Sequence, residues 1–300
     1  MIATDAVFVG KKFNIGLRRQ KIWGPDMAIS FFLGEIGAGV FLLSLYFGFM
    51  PGIISGLIVT TIGKTVGHLL HLGRPERAWR AITMLGSSWL SRGLLAIILY
   101  ASCGGLYVLN HLYQILPESI SSFCALVAAA AAVMIMLYQG LIMSHSASIT
   151  LWASGLMPVI GLTYALFCGS ALLILAEHSN LIVVDPNTLS TLQTLRVVLL
   201  TVAAAAVWGL LHAAHWGSSG GRESVKRLLK QDLAPWFFTF VVVLGFGVPA
   251  ITLYLGVMTD TLLYLSVIAQ ISGFLCFRLL LRKAGNYDAL MQFASPHRGF

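Results

Sequence analysis

The chain has 300 residues, of which 58% are hydrophobic and only 10% are charged. A soluble domain carries roughly 25% charged residues, so this composition excludes an ordinary soluble fold. The formal net charge is +8, and its meaning depends on where the basic residues lie along the chain.

The apolar residues are gathered in runs long enough to cross a bilayer, which takes about 20 helical residues. The runs are continuously apolar, whereas a membrane barrel strand alternates in polarity over about 10 residues. The sequence therefore predicts an all-α integral membrane protein with about eight transmembrane helices, near residues 26–49, 51–72, 91–112, 118–141, 150–176, 192–214, 235–257 and 260–282. We divide the chain into a basic N-terminal segment (1–25), a transmembrane domain (26–283) and a C-terminal tail (284–300).

The basic residues fall on one side of the predicted helices. The N-terminal segment, the loops after the second, fourth and sixth helices and the C-terminus carry Lys11, Lys12, Arg18, Arg19, Lys21, Arg74, Arg77, Arg80, Arg92, Arg222, Lys226, Arg227, Lys230, Arg282, Lys283 and Arg298. The charged residues of the opposite loops are Glu118, Glu177, Asp185 and Asp260. Lys and Arg accumulate in cytoplasmic loops, so we expect a multi-pass protein of the cell inner membrane with both termini in the cytoplasm. The net charge then reflects orientation and lipid contact, and nothing indicates nucleic-acid binding.

Four charged residues lie inside the predicted helices. Glu35 in the first helix and Lys64 in the second both lie roughly 10 Å from the basic side, at about 1.5 Å per residue. Buried charges in a bilayer tend to be paired and functional. We therefore expect a Glu35–Lys64 pair, which is either a clamp between helices or part of a proton route. Arg196 and Arg278 lie nearer the predicted helix ends, where long side chains can extend to the headgroups.

The second half of the chain echoes the first. The second helix ends with His68 and His71 followed by Gly73 and Arg74, and the sixth ends with His212 and His215 followed by Gly217. A shift of four helices preserves orientation, so the echo favours two parallel four-helix bundles.

The segment from His68 to Arg92 concentrates the polar residues of the basic side. Two histidines at positions i and i+3 share a helix face, and a histidine titrates near neutral pH. Beside arginines and tryptophans at the membrane edge, such a histidine can bind a quinone carbonyl and exchange its proton. The alternative is that the histidines end a helix and the arginines only set topology.

Particular motifs in this segment carry a family resemblance. The run His71-Leu72-Gly73-Arg74-Pro75, followed by Arg77-Ala78-Trp79 and by Ser87-Ser88-Trp89-Leu90-Ser91-Arg92, resembles the membrane-anchor subunits of the dimethyl sulfoxide reductase type. It is also similar to the related polysulfide reductase and nitrite reductase NrfD-type subunits.

The resemblance implies an anchor that binds menaquinone or ubiquinone and contains no haem or metal. Its partners would be a four-cluster iron–sulfur subunit and a molybdopterin catalytic subunit, and because the motif lies on the basic side, they would sit in the cytoplasm. The chain alone would catalyse no reaction. The family histidine that is implicated in quinol binding falls on His71. The full set of residues expected at the quinone is His71, Arg74, Arg77, Trp79, Trp89, Ser91 and Arg92, and the residues expected to transfer protons are His68, Glu35, Lys64 and Asp26.

One position departs from the family pattern. Many members carry Glu just after the motif that ends at Arg92, and this chain has Gly93. Glu35 or Asp26 would then have to supply the acidic partner.

Two other functions remain open. His68 with His212, or His71 with His215, could ligate a haem b between the second and sixth helices. The buried charges and the prolines inside helices also suit an ion or proton transporter. The four cysteines are scattered singly, so we expect no cysteine-ligated iron–sulfur cluster or structural zinc in this chain.

Overall fold

The computed structural model describes residues 17–255 and 259–288. Within these ranges, eight helices are long and apolar enough to cross a membrane, which confirms the predicted fold class and helix number. They are α1 (Pro25–Phe47), α2 (Met50–His71), α3 (Trp89–Tyr113), α4 (Glu118–Ser144), α5 (Leu156–His178), α6 (Pro186–Gly217), α8 (Ala234–Leu255) and α9 (Asp260–Ala284). A shorter helix, α7 (Ser219–Lys230), follows α6, and a 3₁₀ helix (Pro75–Met84) lies between α2 and α3.

The helix boundaries follow local sequence signals. Asp185 caps α6, because its side chain accepts hydrogen bonds from the backbone N–H groups of Asn187 and Thr188 at 3.0 Å. Hydrogen bonding to Thr188 holds the pKa of Asp185 below its usual value. At the other end of a helix, Gly48 closes α1 with a positive φ of 79°, a conformation that favours glycine.

The eight spanning helices form two four-helix bundles. In the first, α1 packs on α2 and α4, and α3 contacts both α2 and α4. In the second, α5 packs on α6 and α9, and α8 contacts both α6 and α9. The bundles meet where α1 and α4 both pack along α5 and where α1 contacts α9. The two-bundle arrangement expected from the sequence echo is therefore present.

Glycines allow α1 to approach its neighbours closely. A Cβ atom at Gly37 would lie 2.4 Å from Thr60 Oγ1 on α2, and one at Gly39 would lie 2.2 Å from the Ala165 carbonyl oxygen on α5. Small residues at these contacts let helix backbones pack directly. The close packing places α1 at the centre of the molecule, where most of its residues are buried.

Both described ends of the chain lie at one face of the bundle. The short strand β1 (Arg18–Arg19) pairs antiparallel with β2 (Asn286–Tyr287). Beyond β2, Asp288 accepts hydrogen bonds from Thr150 Oγ1 and Ser218 Oγ at 2.5 Å and from the Gly220 N–H at 3.1 Å. Asp288 thus joins the loop after α4 to the start of α7.

We call this face the basic face. The described members of the predicted basic set cluster at this end of the helices, whereas Lys11, Lys12 and Arg298 lie outside the described residues. One of the members, Arg227, donates hydrogen bonds to the Asp232 carboxylate at 2.7 and 3.0 Å and to the Lys283 carbonyl at 2.5 Å. These bonds hold the pKa of Asp232 below its usual value and attach α7 to the end of α9.

Candidate functional site

At the basic face, the ends of α1 and α2 are joined by a histidine–carboxylate contact. His71 Nδ1 lies 2.7 Å from Asp26 Oδ2, and both side chains are about one-third exposed. Asp26 follows Pro25 in the first turn of α1, where the positive end of the helix dipole stabilises a carboxylate. The carboxylate fixes one ring nitrogen of His71 and leaves Nε2 available for another ligand.

One turn deeper, His68 is held by the same pair of helices. Its Nδ1 lies 2.9 Å from the Lys64 carbonyl oxygen and also contacts Ser30 Oγ, which donates to that carbonyl at 2.8 Å. Because the carbonyl only accepts, Nδ1 is the protonated nitrogen in the neutral ring. His68 Nε2 is buried and has no hydrogen-bond partner among the described residues. His68 therefore presents an unprotonated nitrogen to the interior.

Lys64 lies deeper still, at the end of a π-helical turn (Val59–Lys64). Its Nζ lies 4.4 Å from the ring centre of Tyr138 and 4.8 Å from that of Phe31, and it has no hydrogen-bond partner among the described residues. A Cβ at Gly34 would lie 2.7 Å from Lys64 Cδ, so the glycine makes room for the lysine stem. Short π-helical insertions are frequent at functional sites.

The predicted Glu35–Lys64 pair is wrong. Glu35 is paired with Arg278 of α9, whose Nη2 lies 2.8 Å from both carboxylate oxygens, and neither side chain is exposed. Lys64 interacts with Glu35 electrostatically but outside ion-pair distance. Arg278 can reach Glu35 because position 161 of α5 is glycine: a Cβ there would lie 3.1 Å from the carboxylate and 3.2 Å from the guanidinium.

The expectation that Arg196 and Arg278 extend to the headgroups is also wrong. Both are buried, at 0% and 1% exposure. Arg196 donates to Gln270 Oε1 on α9 at 3.2 Å. Arg196 therefore bonds inside the helix bundle, between α6 and α9, and does not extend outward.

The groups on α1, α2 and α9 form three sets of contacts at successive depths from the basic face, which we together call the polar row. It runs from the basic face inward on facing sides of α1 and α2 and ends at α9. Its members are Asp26, His71, Ser30, His68, Lys64, Glu35 and Arg278. All four residues predicted to transfer protons belong to it.

The connection between α2 and α3 is held in place by two residues predicted to bind quinone. Ser91 Oγ donates to the Ala81 carbonyl. Arg92 donates to the carbonyls of Leu85 at 2.9 Å and Gly86 at 2.7 Å. These hydrogen bonds fold the segment back onto α3.

The other predicted quinone residues lie at the surface of this connection. Arg74, Arg77 and Trp79 are exposed, and Trp79 is 65% accessible. Trp89 is half-buried and donates from Nε1 to His145 Nε2 at the end of α4, at 3.0 Å. The structure thus brings Trp89 beside His145 and leaves the arginine-bearing segment facing outward.

Gly93 is explained by its neighbour on α4. A Cβ at position 93 would lie 2.1 Å from the Tyr138 ring, so the tyrosine fills the space that a larger residue would need. Tyr138 in turn packs against Phe31, 5.6 Å between ring centres. The carboxylate next to His71 comes from Asp26 instead, one of the two substitutes that the sequence suggested.

The histidines expected to ligate haem do not face one another. His68 and His71 face α1, as described. His212 is exposed and His215 half-buried, and both line a groove between α6, α7 and α8 in the second bundle. No group of three or more His, Cys, Asp and Glu side chains in 17–255 and 259–288 is arranged to hold a metal ion.

Sequence reasoning missed Ser30, Tyr138, His145 and Arg278. Ser30 lies four residues after Asp26 in α1, and this helical spacing matches the three-residue spacing of His68 and His71 on the antiparallel helix. That signal could have been read from the sequence. Arg278 stands out as a charge inside an apolar run, but no local pattern indicates its partner, and none distinguishes Tyr138 from other residues of its helix.

Comparison with known proteins identifies one family. The family model described as "Polysulphide reductase, NrfD" matches residues 14–287, which is nearly the whole chain. A search of curated proteins gave no match.

Proposed function

Because the chain belongs to the polysulphide reductase NrfD family, a family of membrane subunits of redox complexes, we propose that it binds quinone or quinol at the basic face. Members of this family generally partner with iron–sulfur and molybdopterin subunits. In this proposal, the chain exchanges electrons with the four-cluster iron–sulfur subunit of a molybdopterin oxidoreductase. The observation that carries it is the His71–Asp26 pair, which stands at the edge of the membrane and begins the polar row.

The donor set of the site fits a quinone head group. His71 Nε2 is free to bond a carbonyl, while Asp26 accepts from Nδ1–H at 2.7 Å and stabilises the ring when it is protonated. In this proposal the quinone ring also meets Trp89 and His145, whose ring centres lie 5.5 Å apart where α3 begins and α4 ends. A bound quinone takes up two electrons and two protons to become quinol, so the site needs both a proton donor and a supply of protons.

The polar row supports that supply. The neutral His68 ring presents Nε2, and Lys64 carries an ammonium that no hydrogen bond engages among the described residues. Glu35 is held by Arg278 at the inner end. Intramembrane ionisable residues that line one path are typical of proton relays. We assign Asp26, His68, Lys64 and Glu35 to proton exchange with the site.

The exposed connection between α2 and α3 suits a protein partner. Arg74, Arg77 and Arg80 are exposed there, and Arg80 lies over the Trp79 ring at 5.5 Å. Interface cores are enriched in Arg and Trp. We therefore assign this segment to the iron–sulfur subunit. The excess of basic residues on the same face would place the partner subunits and both termini in the cytoplasm, with the chain in the cell inner membrane.

The test replaces His71 in the intact complex. We expect His71→Ala to lower quinone-linked turnover roughly 100-fold or more, the usual effect of losing a general acid–base group. Dye-linked activity of the catalytic subunit should remain. His111→Ala, at the exposed opposite end of α3, is the matched control and should change neither activity.

Two outcomes would speak against the assignment. Wild-type quinone-linked turnover in His71→Ala would remove His71 from the site. A parallel loss of both activities, with less iron–sulfur subunit co-purifying, would show that the substitution acts on assembly instead.

A further inference from the structure

The second bundle contains a groove that the proposed quinone site does not use. It has a volume of about 570 Å³ and lies between α6, α7 and α8. Its inner wall is apolar and includes Leu211, Val242 and Phe246. Trp208, which also lines it, is 72% exposed. Ligand cavities have volumes of about 300–1,000 Å³, so the groove is large enough for one acyl chain or a small ring with a short tail.

The end of the groove at the basic face is cationic. The helix α7 contributes Val225 and Leu229 to the lining, and Arg222 and Lys226 lie three or four residues from these on the same helix face. Both basic residues are exposed. Arg222 lies beside the groove, since its Nε is 3.5 Å from the carbonyl oxygen of His215, which lines it.

Two of the three remaining charges of α7 are bonded elsewhere, and the third, Lys230, is exposed at the last position of the helix. Arg227 is buried and bonded to Asp232, and Glu223 accepts from Gln231 Nε2 at 3.1 Å. The mouth of the groove therefore has two exposed cations without an ion-pair partner among the described residues. His212, His215 and Trp216 also line the groove, and the Trp216 ring centre lies 6.5 Å from that of His212 and 5.1 Å from that of His215.

We propose that this groove is a binding site for an anionic phospholipid. One acyl chain lies along Leu211, Val242 and Phe246, and the phosphate meets Arg222 and Lys226. Basic pockets between transmembrane helices on the cytoplasmic side bind anionic head groups, and an amphipathic helix such as α7 lies in the plane of the interface. The groove has an apolar wall and basic residues beside one end, so it matches a lipid with an apolar chain and a negative head group.

The experiment measures lipid binding to the purified full chain. After delipidation in mild detergent, the chain is titrated with phosphatidylglycerol or phosphatidylcholine, and bound lipids are counted by native mass spectrometry. We expect one phosphatidylglycerol to be retained in preference to phosphatidylcholine. Arg222→Gln with Lys226→Gln should lower that preference by about fivefold for each charge removed.

Two further variants separate the head group from the chain. Lys21→Gln with Lys283→Gln removes the same charge from exposed positions of the basic face outside the groove, and it should keep the preference. Ala204→Trp fills the apolar part of the groove and should weaken both lipids equally. Arg222→Lys with Lys226→Arg keeps the charges and should bind like the wild type.

Several results would overturn the proposal. An unchanged preference in the Gln double variant would exclude Arg222 and Lys226 as the phosphate site. Undiminished binding in Ala204→Trp would place the lipid elsewhere. Displacement of the bound lipid by a short-chain quinone would make the groove a quinone site. If the Gln double variant binds lipid normally but co-purifies with less iron–sulfur subunit, α7 is a partner contact. None of these readouts depends on the function of His71.

Discussion

Glu35 has two candidate partners in the polar row, Arg278 and Lys64, and single substitutions of these residues test which cation is its partner. Arg278 lies 2.8 Å from Glu35, and both are inaccessible to solvent. Breaking a buried pair by removing one partner costs about 3–5 kcal/mol, because the other charge is left uncompensated. We therefore expect Arg278→Met to lower the free energy of unfolding by about 3–5 kcal/mol.

Lys64→Met should behave differently. The Lys64 ammonium has no hydrogen bond among the described residues, and its contacts are with the rings of Phe31 and Tyr138. Losing the cation–π contacts costs up to about 2 kcal/mol, whereas removing an unsatisfied buried donor recovers about 1–3 kcal/mol. The two effects nearly cancel, so the stability should change little. Glu35→Gln should cost about as much as Arg278→Met, because it leaves the buried Arg278 guanidinium without its carboxylate.

The assay is equilibrium unfolding of the purified chain in mixed micelles, with increasing mole fraction of dodecyl sulfate and tryptophan fluorescence as the signal. A double-mutant cycle between Glu35→Gln and Arg278→Met isolates the coupling energy of the pair. The matched cycle uses Lys64→Met as the second substitution. If the Lys64 cycle gives the larger coupling, and Arg278→Met costs less than about 1 kcal/mol, the assignment of Arg278 as the partner is refuted.

Two further predictions concern the packing around Gly93 and the hydrogen bonds of Asp288. Gly93→Ala should lower the free energy of unfolding by about 1–3 kcal/mol, because the added methyl group overpacks against Tyr138. The control Gly105→Ala lies on the same helix with open space around it and should be neutral or stabilising. Thermal unfolding compares the two variants, and equal midpoints would contradict the crowding at position 93. Asp288→Ala should speed amide exchange at Gly220, because its N–H loses its carboxylate acceptor; unchanged exchange there would mean that the start of α7 is held without Asp288.

Much of the architecture can be read from the sequence because it depends on one-dimensional properties. The length of an apolar run decides whether a helix can cross a bilayer, and the position of Lys and Arg along the chain decides which loops share a side. The position of His71 also follows from a local motif. Even the acidic partner of His71 was among the alternatives, because Asp26 lies at the same end of an adjacent helix.

The tertiary structure decided which side chains meet inside the membrane. The depth of a residue can be estimated from its distance to a helix end, and Glu35 and Lys64 do lie at similar depths. The rotation of each helix about its axis cannot be estimated in this way. Arg278 reaches Glu35 only because α9 packs against α1 and α5, and because Gly161 leaves the space. Gly93 likewise acquires its meaning from the Tyr138 ring on another helix. The sequence by itself determined the helices and which loops are basic. The partners within the polar row depend on packing between residues far apart in the chain, which no local pattern encodes.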